Sequence, residues 1–247
     1  MQKSFNILCA LLGLSLLGAC ASDTEKKEPQ TAEELYVQGK ELMDKTSYVK
    51  AAETFEKIEM EHPYSALATK AKIMGAYAYY KKQQYDDAVM SLDRFIKFHP
   101  GNKDIAYAYY LKSLCYYEQI TDIDRDQSNT QKAQDALKQV ILRFPDSEYA
   151  VDAKNKLALT YDHLAGQEME IGRWYLNQNN YLSALNRFTV VVNEYQTTSH
   201  IEEALYRQVE VYTILGLNKE AGDSLKVLGM NYPDSKWYKR AQELKKS

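Results

Sequence analysis

The sequence predicts an all-α protein built as a rod of stacked helix pairs. Three observations lead to this prediction: a residue pattern that recurs five times, a proline that closes four of the five copies, and a polar helix-start residue after each copy. The chain has 247 residues, of which 45% are apolar, so it can bury a substantial core. The repeat, and not any isolated motif, is therefore the feature that predicts the fold.

Each copy has an Ala, a Phe or Leu four residues later, and a Pro or Gln eight residues after that. The five copies are Ala51, Phe55 and Pro63; Ala88, Leu92 and Pro100; Ala133, Leu137 and Pro145; Ala184, Phe188 and Gln196; and Ala221, Leu225 and Pro233. Ala lets two helices approach closely, and Phe or Leu fills the space between them. Pro ends a helix because it has no N–H to donate and disfavours helix in the preceding residue. The predicted N-caps of the following helices are Ser65, Asn102, Ser147, Thr198 and Ser235.

This pattern resembles the tetratricopeptide repeat, and the resemblance implies an α-solenoid of five helix pairs with a C-terminal capping helix. We place the repeats at about 32–63, 65–100, 102–145, 147–196 and 198–233, and the cap at 235–246. The third repeat has extra residues that we assign to a polar loop, Thr121–Asn129. The fourth has extra residues that keep a helical spacing, so we expect a lengthened first helix that Gly166 and Gly172 weaken or bend.

Residues 1–19 are predicted to be a lipoprotein signal peptide. Lys3 is followed by a mostly apolar run that is too short to span a bilayer and ends in Leu17-Gly18-Ala19-Cys20. Cys20 would then carry the N-acyl and S-diacylglycerol groups, and residues 20–31 would form a flexible tether to a domain at 32–247. The residue after Cys20 is Ala21 and not Asp, which would hold a lipoprotein at the inner membrane. We therefore expect this protein at the periplasmic face of the outer membrane. The alternative is an ordinary signal peptide that happens to contain a cysteine.

Composition and motifs argue against several function classes. The net charge is 31 − 34 = −3, whereas a nucleic-acid binder needs an excess of Lys and Arg. The sequence contains no metalloprotease, nucleophile-elbow, thiol-redox or phosphate-loop motif. Glu168, Glu170 and Asp162 cluster in sequence, but a solvated helix face explains them better than acid–base catalysis does. We expect no enzyme activity, no metal and no cofactor beyond the lipid, and we expect Cys115 to be a buried apolar side chain.

Three runs of sequence resemble the BamD family, lipoproteins of the outer-membrane β-barrel assembly machinery. The runs are Tyr77–Tyr80 with Asp93–Ile96 and His99–Pro100, then Asp162–Arg173, then Tyr195–His200. The last two are similar to the alphaproteobacterial form of the family, which also has Gln in place of the fourth repeat proline. The resemblance covers the lipid-attachment motif and essentially the whole predicted mature chain.

The resemblance implies a scaffold on the periplasmic face of the outer membrane, anchored in its inner leaflet through lipid. Such a protein binds BamA, mainly through its C-terminal repeats, and works beside the other lipoproteins of the complex. Its N-terminal repeats receive the C-terminal signal strand of unfolded outer-membrane proteins, which usually ends in an aromatic residue, and so promote their insertion. No cofactor or nucleic acid takes part.

For the substrate groove we select four tyrosines on the predicted first helices and one cation for a terminal carboxylate. They are Tyr77, Tyr80, Tyr107, Tyr110 and Arg94. Each tyrosine pair is three residues apart and so shares a helix face. The alternatives are that the rings only pack between repeats and that Arg94 pairs with Asp93 or Asp87.

For contact with BamA we select residues around the junction of repeats four and five: Arg187, Thr197, His200, Glu203 and Arg207. Two rival functions remain open at this point. One is another periplasmic repeat lipoprotein adaptor, such as a pilotin or a cell-wall or division coordinator. The other is an enzyme or the accessory domain of an enzyme such as a wall hydrolase.

Overall fold

The computed structural model describes residues 29–244, which form helices joined mostly by short turns. The helices are α1 (Ala32–Asp44), α2 (Tyr48–Glu61), α3 (Ala66–Lys81), α4 (Tyr85–Phe98), α5 (Ile105–Tyr117), α6 (Ser128–Arg143), α7 (Glu148–Asn177), α8 (Tyr181–Glu194), α9 (Ile201–Ile214), α10 (Asn218–Asn231) and α11 (Lys236–Leu244). The predicted signal peptide, Cys20 and most of the tether lie outside the described residues, as do residues 245 and 246 of the predicted cap.

Consecutive helices pack in pairs: α1 with α2, α3 with α4, α5 with α6, α7 with α8 and α9 with α10. The first helices also contact one another in succession from α1 to α7, and α11 packs on α9. The part of the chain that the structure describes is therefore an all-α, tetratricopeptide-like solenoid with a terminal helix, as the sequence predicts. The row of first helices matters most for function, because it brings side chains from distant repeats onto one surface.

The second helices all end in the same way. The residue after each one has nearly the same backbone conformation, from φ −137° and ψ 59° at Tyr232 to φ −125° and ψ 39° at Tyr195. Each such residue donates its N–H to the carbonyl four residues earlier. The fourth copy keeps this geometry although Gln196 follows it in place of proline. Packing therefore determines this helix end as much as the proline does.

The predicted N-caps are only partly right. Ser65 and Ser235 accept hydrogen bonds from the backbone N–H two residues later, both at 3.1 Å. Ser147 stands directly before α7, but its hydroxyl donates to a carbonyl of the preceding turn. The prediction was wrong for Asn102 and Thr198, since the residues that directly precede α5 and α9 are Asp104 and His200, two positions further on. Their side chains instead hydrogen-bond within the turn between repeats.

A left-handed residue joins the two helices in four of the pairs. Thr46, Gln83, Asn179 and Gly216 have φ of 56°, 64°, 58° and 73° and stand two residues before α2, α4, α8 and α10. The third pair has a longer connection in this place, residues 118–127. Positive φ suits Gly and Asn but strains a β-branched residue. Thr46 is therefore the least favourable residue of the four.

Repeat packing rests on size complementarity between the two helices of a pair. Ala51, Ala88, Ala133, Ala184 and Ala221 are at most 5% exposed. Phe55, Leu92, Leu137 and Phe188 are also buried, whereas Leu225, which we assigned to the core, is only half-buried against it.

In the first, second and fourth copies, the residue sixteen positions before the Phe or Leu lies on the first helix, and its size matches that of its partner. Phe55 and Phe188 lie against Gly39 and Gly172, where an added Cβ would stand 2.6 and 2.4 Å from the ring. Where the same position holds Ala76, the partner in the same core cluster is the smaller Leu92. A large ring is thus accommodated only where the first helix has no side chain.

Helix α7 is continuous over 30 residues, so its extra length is helical as predicted. Gly166 and Gly172, which we expected to weaken or bend this helix, both lie inside it at close contacts. Gly172 admits Phe188, and a Cβ on Gly166 would stand 3.2 Å from His200. These glycines therefore allow neighbouring elements to approach the helix.

We predict that Gly172→Ala destabilises the protein by about 1–3 kcal/mol, because the added methyl group overlaps the buried ring of Phe188. Urea unfolding followed by circular dichroism measures this. The matched control is Gly75→Ala, also within a helix, where the nearest atom to the new Cβ is an ordinary 3.6 Å away. This control should gain about 0.5–1 kcal/mol from helix propensity. Adding Phe188→Leu to Gly172→Ala should restore part of the loss, and equal stabilities of Gly172→Ala and wild type would refute the packing argument.

We predict that Thr46→Asn stabilises the protein by about 0.5–1 kcal/mol, because Asn tolerates the left-handed conformation that β-branched Thr does not. Asn179 already occupies the equivalent turn, so Asn179→Thr is the reciprocal variant and should lower stability by a similar amount. Thermal unfolding of both variants tests the pair. A fall in stability for Thr46→Asn would show that the threonine makes a compensating contact.

Candidate functional site

Tyrosines from three consecutive first helices form one cluster, which we call the tyrosine surface. It comprises Tyr77 and Tyr80 of α3, Tyr107 and Tyr110 of α5, and Tyr149 of α7, all of them half-buried. The Tyr77 and Tyr80 rings stack with centroids 6.3 Å apart, and Tyr110 stacks on Tyr149 at 5.2 Å. Tyr107 lies 5.5 Å from Tyr149 and packs on the same core cluster as Tyr77 and Tyr80. The structure thus brings together the four tyrosines selected from the sequence.

Two of these hydroxyl groups are hydrogen-bonded to carboxylates at the edge of the cluster. Tyr80 donates to Glu118 at 3.4 Å, and Tyr110 donates to Asp152 at 2.5 Å. Burial, together with Glu118, raises the pKa of Tyr80 to about 12. Burial also raises the pKa of Tyr107 and Tyr110 well above the usual value. The hydroxyl groups of Tyr80, Tyr107 and Tyr110 therefore stay protonated at neutral pH, and the surface offers aromatic faces beside polar groups.

A pocket of about 220 Å³ opens between α3, α5 and α7 at one side of the tyrosine surface, and we call it the tyrosine pocket. It is lined by Lys70, Ile73, Met74, Asp104, Tyr107 and Tyr149. Sequence reasoning missed Lys70, Asp104 and Tyr149. A signal was present: Lys70 and Tyr107 each stand seven residues after a repeat proline, and Asp104 and Tyr149 each stand four residues after one.

Arg94 does not belong to this surface. It is exposed on α4, a second helix, and lines a separate cavity between α2, α3 and α4 with Glu56, Glu59 and Asp87. The alternative of an ion pair with Asp93 is not met either, since Asp93 pairs with Lys112 at 2.5 Å. The structure therefore does not bring Arg94 together with the four tyrosines selected for the substrate groove.

The residues selected for BamA contact lie on α8, α9 and the turn between them. Arg187 donates to both carboxylate oxygens of Glu168 on α7, at 3.1 and 3.3 Å. Thr197 is exposed at the turn, whereas His200 is half-buried. The His200 ring nitrogen Nε2 lies 3.8 Å from Asp162.

Glu203 and Arg207 belong to a chain of ion pairs that joins α7 to α9. Glu203 accepts from Arg173 of α7 at 3.2 Å and from Arg207 at 3.3 Å, and Arg207 also donates to Glu210 at 2.8 Å. Their side chains are only 17% and 22% exposed. Much of their hydrogen-bonding capacity is therefore used within the protein, and Arg187 and Thr197 are the more accessible of the five.

The two insertions in the repeat pattern meet beside His200. The 118–127 connection and the lengthened α7 line an open cavity of about 600 Å³ whose wall includes Ile123, Leu159 and His200. Asp162 fixes the adjoining turn by accepting hydrogen bonds from the backbone N–H and hydroxyl of Ser199 at 2.9 and 2.8 Å. Burial acts to raise the pKa of Asp162, but these hydrogen bonds and His200 outweigh it and lower the pKa.

Within residues 29–244, no group of three or more His, Cys, Asp or Glu side chains is arranged to hold a metal ion. Among the same residues, no helix combines the length and apolar character needed to cross a bilayer. Cys115 is buried, and burial raises the pKa of its thiol to about 12, so it is not a reactive nucleophile.

Comparison with known proteins identifies the family. A family model described as "Outer membrane lipoprotein", YfiO, matches residues 28–228. The chain is 47% identical over 248 residues to the outer membrane protein assembly factor BamD of Rickettsia prowazekii, covering 100% of this chain and 99% of that protein. It is 42% identical to BamD of Caulobacter vibrioides, covering 98% of this chain and 81% of that protein.

Among solved structures, a thermophilic tetratricopeptide-repeat protein of Thermus thermophilus aligns with a TM-score of 0.38 and 17% identity, covering 87% of this chain and 98% of that chain. The Rickettsia relative matches over essentially the whole length of both chains, and the family model matches most of this one. The alphaproteobacterial resemblance seen in the sequence is thereby confirmed: this chain belongs to the BamD family of outer membrane protein assembly factors.

Proposed function

We propose that this chain is a non-catalytic scaffold lipoprotein of the outer-membrane β-barrel assembly complex. It is held at the periplasmic face of the outer membrane through lipid on Cys20. It binds BamA, acts beside other lipoproteins of the complex, and receives the C-terminal signal of unfolded outer-membrane proteins to promote their insertion. It uses no metal, nucleic acid or cofactor other than its lipid.

The tyrosine surface is the observation that carries the substrate part of this proposal. Aromatic rings with polar tips supply large contact areas at little cost in side-chain entropy and are enriched in protein interfaces. The cluster spans three repeats, so an extended peptide can lie across it and stack an aromatic side chain while the tyrosine hydroxyls and nearby carboxylates meet its backbone.

Family membership supports the barrel-assembly role over the other repeat adaptors, because the relatives are named assembly factors. The proposed surface for BamA is centred on Arg187 and Thr197, near the cavity formed by the two insertions. Arg187 is 41% exposed even while it is paired with Glu168, so part of its guanidinium remains available to a partner.

We predict that the double variant Tyr80→Ala, Tyr110→Ala loses about tenfold in binding of a peptide with the C-terminal signal of an outer-membrane protein, because two stacking faces are removed. Photocrosslinking of the labelled peptide to the purified protein measures this. Tyr64→Ala is the matched control, since that ring is fully exposed outside the surface. Circular dichroism should be unchanged in all variants, and full crosslinking by the double variant would contradict the assignment.

We predict that Arg187→Glu lowers co-purification of BamA severalfold, because it reverses an accessible charge on the proposed contact surface. This change also leaves Glu168 beside a like charge, so a second variant is required. The swap Arg187→Glu, Glu168→Arg restores the internal pair but keeps the reversed charge at position 187, and it should remain defective.

Recovery of BamA in the swapped protein would mean that Arg187 acts only within the fold. Lys219→Glu serves as the charge-reversal control, because Lys219 is 86% exposed at the start of α10. Its co-purification with BamA should match that of the wild type.

A further inference from the structure

Positive charge is concentrated in residues 235–247, which contain α11. This segment has five Lys or Arg residues and one acidic residue, so its side chains carry a net charge of 5 − 1 = +4. The other residues of the chain hold the remaining 26 of 31 basic and 33 of 34 acidic side chains, which gives 26 − 33 = −7. The capping segment is therefore a basic element on an otherwise acidic protein.

Three cations of α11 share one face of the helix. Lys236, Lys239 and Arg240 are three and four residues apart, and all of them are exposed. The one acidic residue of the segment, Glu243, has a spacing that puts it on the same face. Even so, no carboxylate of residues 29–244 lies within ion-pair distance of any of the three cations. Their charge is thus not neutralised within the part of the chain that the structure describes.

Trp237 lies beside these cations and is held by the solenoid. Its ring lies 5.1 Å from that of Tyr206 on α9, and α11 packs on α9 with Ala241 fully buried. The Lys236 ammonium group and the Arg240 guanidinium lie over the indole ring, 5.1 and 5.0 Å from its centroid. Trp237 is only half-buried, so the ring and the cations are presented together.

We call these four residues the basic cap surface: Lys236, Trp237, Lys239 and Arg240. This combination of side chains suits the headgroup layer of a phospholipid leaflet. Trp is enriched where membrane meets water, and Lys and Arg attract anionic lipid headgroups there. The apolar side of α11 is packed on α9, so the contact is peripheral and made through charge and the indole ring.

We propose that the basic cap surface binds anionic phospholipid headgroups of the leaflet in which the protein is anchored. This inference rests on the proposed lipid anchoring at Cys20, which holds a phospholipid surface beside the protein so that even a weak contact forms. It adds a second membrane contact far from Cys20 in the sequence. An anchor at one point leaves the solenoid free to pivot, whereas a second contact at α11 limits its orientation relative to the membrane.

The two tryptophans of the chain allow this contact to be measured with an internal control. The full-length lipidated variant Trp174→Phe keeps Trp237 as its only indole, and Trp237→Phe keeps Trp174, which is 58% exposed on α7. Each protein is reconstituted into vesicles of phosphatidylcholine, or of phosphatidylcholine mixed with phosphatidylglycerol. The phosphatidylcholine is brominated on its acyl chains near the glycerol. Bromine quenches indole fluorescence only at close range, so quenching relative to unbrominated vesicles reports contact with lipid.

We expect Trp237 to be quenched at least about threefold more in vesicles that contain phosphatidylglycerol, because each Lys or Arg near an anionic surface adds to the attraction. Trp174 should be quenched equally little in both kinds of vesicle. NaCl at about 1 M, where the Debye length is about 3 Å, should remove the difference seen for Trp237.

Charge removal on α11 is compared with charge removal elsewhere, both in the Trp174→Phe protein. The test variant combines Lys236→Gln, Lys239→Gln and Arg240→Gln, and it should lose the effect of phosphatidylglycerol. The matched control replaces three exposed lysines of α6 and α7 and should keep the effect: Lys132→Gln, Lys138→Gln and Lys154→Gln.

Equal quenching of Trp237 in the two kinds of vesicle, or quenching that persists in the test variant, would overturn the proposal. Flotation of the protein with both kinds of vesicle would in that case still support the anchor, whereas failure to float with either would overturn the proposed lipid anchoring itself. If Trp237 is not quenched in vesicles but its fluorescence changes when polyglutamate is added in detergent, the surface binds an acidic protein and the lipid proposal is wrong.

Discussion

The structure depends on the close approach of the two helices in each pair, which a buried Ala on the second helix permits. In the first and fourth pairs a Gly on the first helix also receives the Phe of the second. Gly39 against Phe55 and Gly172 against Phe188 are the tightest cases. Because the same kind of helix contact recurs in each pair, successive pairs have similar orientations and their first helices lie side by side in a row. Residues far apart in sequence, such as Tyr80 and Tyr149, share a surface because of this row.

The two insertions modify the solenoid without breaking that constraint. Helix α7 is 30 residues long, yet its C-terminal half still presents Gly172 to Phe188 as a shorter repeat would. The added length and the 118–127 connection instead create a cavity beside the turn before α9. The two insertions thus lie where they do not disturb the packing between neighbouring repeats.

Much of the fold could be predicted from the repeat. Its Ala and its Phe or Leu mark where two helices contact each other, and its Pro marks where a helix ends. The four tyrosines could be found because a spacing of three residues places them on one helix face. Contacts between repeats were harder, since Lys70 and Tyr149 become neighbours of Tyr107 only through the angle between first helices. Arg94 lies between Leu92 and Pro100, so the repeat already assigned it to a second helix, but only the structure shows that it lines a cavity away from the four tyrosines. The pairing of Arg207 with Glu203 and Glu210 follows a helical spacing that the sequence shows, whereas the pairing of Glu203 with Arg173 of α7 is visible only in three dimensions.

Because Cys115 is buried, its thiol can serve as a probe of local unfolding in the protein. Its thiol is completely covered within α5, near the middle of the solenoid. A water-soluble alkylating reagent can reach it only when α5 separates from its neighbours. In a stack where each unit is stabilised by the next, the labelling rate of this sulfur measures how often the centre of the rod opens while its ends remain folded.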